Sequence, residues 1–153
     1  MKISTKIGIA VIAAILFFCA TQLFGDTSVS LLQRTYTAYN EQYFGDKLPK
    51  VDDVAISLDL HDDGFVATTD KGLDGEHFRI RFNMKYAAAE KFAQATLLHE
   101  MCHMKTWDKD RDFMGAWEEH GKLWRSCMLT LDSEGAFRDL EIDNYREVMN
   151  GDK

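Results

Sequence analysis

Cysteine is scarce in this chain, with three residues in 153, which is too few for a zinc module built on four thiolates. Positive charge is in deficit as well. Eighteen Lys and Arg face 25 Asp and Glu, and the net charge of -7 opposes non-specific attraction to DNA or to anionic lipid head groups. The chain has no internal repeat, no low-complexity tract and no N-x-S/T acceptor for glycosylation. What it has is length for one domain and, at 46% hydrophobic residues, enough apolar material to fill a single core.

There is one long apolar run, and it stands at the amino terminus. Lys2 and Lys6 precede Ile7 to Phe24, a stretch interrupted only by Thr21 and Gln22. Residues 1–25 read as a targeting segment, a signal peptide or signal-anchor contacting the membrane through residues 7–24. The small residues wanted for cleavage are missing, since Phe18 and Leu23 occupy the positions that need them, so an uncleaved anchor is expected. Cys19 reads as a cysteine within an apolar helix rather than a lipidation site. Lysines ahead of the run predict a cytoplasmic amino terminus with residues 26–153 outside the cytoplasm, in an oxidising periplasmic or extracellular compartment. There Cys102 and Cys127 could pair, although the favoured expectation is two small buried residues on helices.

His99-Glu100-Met101-Cys102-His103 carries the chemistry. Two histidines four apart on a helix point the same way and can share one metal, while the adjacent glutamate can take a proton from metal-bound water. The chain's own His and Glu frequencies predict about 0.01 accidental copies of this pattern.

Along the rest of the chain, Ser30 and Gln33 read as a capping box for a first helix over 31–44, with Leu32, Tyr36, Tyr39 and Tyr43 on its stripe. Val54, Ile56, Leu58 and Leu60 alternate as a strand, and Asp63-Gly64 turns into a hairpin partner over 65–69. Phe78, Ile80 and Phe82 mark a third strand. It is placed at a sheet edge, where an extended substrate could pair with it. Helices follow over 91–106, carrying the motif, over 115–131, and over 134–149, with a charged, solvated loop at 107–113.

A catalytic zinc needs a third protein ligand. His120, 17 residues after His103 and on the stripe of Trp117, Trp124 and Leu131, ranks first, ahead of Glu118 and Glu119. A third histidine six residues after the second is excluded by Lys109. Asp108, Asp110, Asp112 and Glu119 partly imitate a calcium loop, but Phe113 replaces the glycine that permits its sharp turn.

These residues resemble a known family. His99-Glu100-x-Cys102-His103, a charged loop, His120-Gly121 and Trp124 are similar to the SprT-like metallopeptidase domain. So are the opening Tyr39-Asn40-x-x-Tyr43-Phe44-Gly45-x-Lys47-Leu48-Pro49 and Ile80-x-Phe82-Asn83. The resemblance implies an α+β, zincin-like fold with a small three-stranded sheet packed on helices. It also implies one Zn2+ on His99, His103 and His120, with Glu100 as catalytic base. The carboxy-terminal zinc ribbon of many members is missing. Relatives of the Spartan type are DNA-dependent proteases, a role not carried over to an acidic chain with an export segment.

The expected activity is zinc-dependent hydrolysis of peptide bonds in proteins or peptides at the cell envelope. His77, Tyr86 or an arginine could donate to the oxyanion. The competing expectations are a zinc-stabilised binding module without turnover, a DNA-dependent protease, and a structural domain whose histidines are core residues.

Overall fold

The computed structural model describes residues 28–59, 65–72, 77–87, 89–110, 115 and 118–140. Helix α1 occupies 28–44, so Ser30 is already inside it and the capping box does not mark its start. Leu32, Tyr36 and Phe44 are buried and Tyr39 and Tyr43 pack against the core, as a helical stripe requires. Gly45 and Asp46 then turn with positive φ. Asn40, itself buried, clamps the exit: its Nδ2 donates to the Leu48 carbonyl at 3.2 Å and its Oδ1 accepts the Leu48 N–H at 3.1 Å.

After a 3-10 turn at Val51–Asp53 come β1 (Val54–Asp59), β2 (Ala67–Lys71) and β3 (Phe78–Asn83). The expected three-stranded sheet is present, but its order differs from expectation. β3 is central, parallel to β1 and antiparallel to β2. The hairpin therefore joins β2 to β3 rather than β1 to β2, and β3 is not the edge. Local alternation reports which face of a strand is buried, and Phe78, Ile80 and Phe82 are indeed buried, but it carries no record of lateral neighbours. The Asp63-Gly64 turn lies outside the described residues.

Asn83 ends β3 and starts α2 (Met84–Ala87), accepting the Lys85 N–H on Oδ1 while Nδ2 donates to the Phe65 carbonyl. Helix α3 (Glu90–Thr106) follows and matches the expected motif helix. Ala93, Leu97, Leu98, Met101 and Met104 drive it into the core. Helix α4 (Lys122–Ser133) starts later than expected and contributes Trp124, Cys127, Met128 and Leu131. The mixed sheet and four helices give the expected α+β architecture.

Cys102 and Cys127 form a disulfide with Cα atoms 5.9 Å apart, which corrects the expectation of two separate buried thiols. It staples α3 to α4. Past α4 the chain makes turns over 134–140 that bury Ala136 and Phe137, so the expected last helix does not begin at Glu134, and 141–149 lie outside the described residues.

The expected membrane anchor and export signal require correction too. Among the described residues no helix is long and apolar enough to cross a membrane, and residues 1–25, on which that placement rested, are outside them. Neither a membrane-anchored chain nor a domain outside the cytoplasm is carried further.

Asn40→Ala should lower the unfolding free energy by about 2 kcal/mol, because it strands the buried Leu48 N–H and carbonyl; a urea midpoint within error of the parent would refute the clamp. Reduction of Cys102–Cys127, which closes a sequence separation of 25, should cost about 3 kcal/mol, read from urea unfolding with and without dithiothreitol.

Candidate metal site

Helix α3 sets His99 and His103 one turn apart, so their imidazoles lie side by side. His120 comes from a turn just ahead of α4 rather than from the expected helix, since Gly121 is the N-cap of α4. His99 Nε2 stands 3.1 Å from His103 Nε2 and 3.2 Å from His120 Nε2. The three ligand atoms all fall within 4.8 Å of one another.

This spacing fits a metal. A neutral imidazole nitrogen carries either one proton or one lone pair, so His99 Nε2 can form a hydrogen bond with only one of its two neighbours. A shared cation satisfies all three. Zn–N bonds of about 2.0–2.1 Å at a tetrahedral angle put ligand nitrogens about 3.3 Å apart, close to the two contacts at His99, and a bound cation would draw the wider cluster, which spans up to 4.8 Å, to that separation. Glu118 and Glu119, the rival ligands, are exposed and stand outside the cluster.

Trp124 makes the wall of the site. Its fully buried ring lies 4.7 Å from His99, 5.5 Å from His103 in a stacked arrangement, and 4.3 Å from His120, centroid to centroid. Its Nε1–H donates to the His99 carbonyl at 3.4 Å. The burial that results keeps the imidazoles neutral. His99 is pushed well below the usual histidine value, by desolvation first and then by His103 and His120. His103 falls to about 4 for the same first reason, with His120 adding and Asp110 opposing. His120 is also lowered by burial. Neutral imidazoles keep the lone pairs that a metal needs.

Glu100 is 3% exposed. Burial raises its carboxyl to about 7, while a hydrogen bond from Thr69 pulls the other way and Glu119 adds to the rise. Thr69 Oγ1 donates to Glu100 Oε2 at 2.7 Å, reaching across from β2. Of the expected oxyanion donors, the Tyr86 ring packs on Phe92, and Arg79 and Arg81 lie against Asp70. Arg125 Nε donates to the His120 carbonyl at 3.0 Å.

Thr69 and Asp110 escaped the sequence reading. Thr69 lies on a strand with no distinctive pattern, 31 residues from its partner. Asp110 looked like a member of a solvated or calcium-like loop, yet it is buried and both its carboxylate oxygens accept backbone N–H groups of α4.

The folded-state values set a pH dependence for the metal-free protein. Between pH 6.5 and about 4 the unfolded chain takes a proton on His103 that the folded chain refuses, so stability should fall as pH falls. Glu100 acts oppositely, holding a proton in the folded state from about 7 down to 4.5. In metal-free Glu100→Gln the opposing Glu100 contribution is gone, and the thermal midpoint should drop more steeply from pH 7 to 4 than in the parent. A flat profile would contradict the neutral cluster.

No curated protein matches the chain. Residues 32–146 match the SprT-like family, a span that takes in most of α1, the sheet, the three histidines, Glu100 and α4. A family with a zinc-metallopeptidase relationship is consistent with the histidine cluster, and the chain belongs to the SprT-like family.

Proposed function

We propose that this protein is a zinc-dependent metallopeptidase in which His99, His103 and His120 hold the metal and Glu100 is the catalytic base. The observation that carries this function is the convergence of three imidazole nitrogens, together with a buried carboxylate on the residue that follows His99, its Oε2 held by Thr69. Bound zinc would act as a Lewis acid on the scissile carbonyl and lower the pKa of its water. The chain's own residues do the rest. With Oε2 fixed by Thr69, Glu100 offers Oε1 to the attacking water, takes its proton and delivers it to the departing amine. Burial lifts this carboxyl to about 7 before any metal binds, and a bound cation would draw it down again towards the ionised form that a base needs. Burial of Glu100 limits the access of bulk water to its carboxylate.

The substrate is an extended peptide lying along β2. With β3 central, β2 carries Thr69 and is an edge of the sheet among the described residues, the side to which an added strand would pair. Peptides N-methylated on either side of the scissile bond should show a raised KM with less change in kcat; unchanged KM would remove strand addition at β2.

Glu100→Gln should keep its zinc and lose at least about 100-fold in kcat on a quenched peptide library, the span of general-base contributions being roughly 100- to 10,000-fold. His120→Ala should weaken zinc binding by more than the about 10- to 100-fold typical of losing an outer partner. Zinc in the parent protein with no hydrolysis distinguishable from Glu100→Gln would instead identify a binding module.

A further inference from the structure

The stretch between α3 and α4 contains a carboxylate spent entirely on backbone. Asp110 is 5% exposed, and its Oδ1 accepts the Leu123 N–H at 2.8 Å while Oδ2 accepts the Trp124 N–H at 2.7 Å. Its own carbonyl accepts the Glu118 N–H at 3.2 Å, tying the segment before His120 to the same residue. The first N–H groups of a helix have no partner within it, and Gly121, the N-cap of α4, has no side chain to supply one. Asp110 does that work from upstream in sequence, and its charge complements the positive end of the helix dipole.

Gly121 makes the contact possible. A Cβ on residue 121 would lie 2.6 Å from Asp110 Cγ and 2.7 Å from its Cβ, so only glycine allows the carboxylate to seat. The two residues flanking this contact both belong to the metal site. His120 precedes Gly121, and Trp124, whose N–H Asp110 holds, presents its ring to all three histidines.

We propose that Asp110, seated against Gly121, is a positioning residue for the metal site: it fixes the turn and the first residues of α4 so that His120 meets His99 and His103 before metal binds. Asp110 touches neither metal nor substrate; its positioning effect passes through His120, and is separate from the field of its charge, which also reaches His103. This role rests on the metal-site function proposed above. A cap that served stability alone would lower the unfolding midpoint and leave the affinity of the folded protein where it was.

The test is Zn2+ affinity of the full chain, measured by competition with a chromophoric chelator in the parent, Asp110→Asn, His120→Ala and the double variant. Asparagine keeps the shape and one acceptor oxygen but replaces the other with an NH2 group that cannot accept a backbone N–H. Asp110→Asn should raise the zinc Kd roughly tenfold or more, the range for outer partners of metal ligands, with an unchanged far-UV circular dichroism spectrum. In the His120→Ala background, where His99 and His103 still bind weakly, the same change should cost clearly less than in the parent, leaving only the loss of the Asp110 charge near His103, and Gly121→Ala, which keeps that charge, should move Kd less than about twofold. Gly121→Ala, which drives a methyl into the carboxylate, should reproduce the His120-dependent loss and serves if Asp110→Asn folds poorly. Equal losses in both backgrounds, or no loss in the parent background, would overturn the positioning role while leaving the metal site intact. A parent chain that binds no zinc overturns both.

Discussion

Three imidazole nitrogens can serve one cation only if a turn residue is held against a helix that lies far from it in sequence. α3 places His99 and His103 by its own periodicity, but His120 has no helical neighbour to orient it. Its placement depends on how α4 begins and where α4 lies. The Asp110 carboxylate determines the first, the Cys102–Cys127 disulfide and the packing of Trp124 and Met128 determine the second. Neighbouring residues on α3 thus divide the labour. Cys102 ties the helix pair together, and His103 beside it faces the site.

The same burial acts on acid and base in opposite directions. It disfavours the charged form of each group, so the histidines stay neutral and the Glu100 carboxyl is held to about 7. Thr69 tempers the second effect by donating to Glu100 Oε2, which links the edge strand to this carboxylate. The sheet is therefore part of the site. β3 occupies the centre, hydrogen-bonded on both sides, and leaves β2 as the strand that borders Glu100.

The sequence was most informative where structure is local. The span of α3, the spacing of its histidines and the alternation of β1 and β3 follow from periods of 3.6 and 2, and the structure reproduces them. It was least informative where a contact joins distant segments. β1 pairs with β3 rather than with β2, Asp110 leaves solvent to cap α4, and the two thiols join. Each of these depends on which surfaces meet after folding, and a window of neighbouring residues contains no such information. The start of α4 shows the difference well. Apolar periodicity extended a helix back past His120, but the backbone N–H groups there found their acceptors in Asp110, and the helix began after Gly121.

By itself the sequence determined the candidate donors: two histidines four apart with a glutamate between them, a third histidine downstream, and too few cysteines for a four-thiolate site. Residue type and short-range spacing suffice for that, because a helix converts spacing into direction. Tertiary structure alone decided that the third histidine stands on a turn, that Thr69 holds the carboxylate, and that Asp110 and a disulfide lock α4 in place. These outcomes depend on hydrogen-bond acceptors and thiols being delivered across the fold to buried groups that must be satisfied, and that demand arises only once the core has closed.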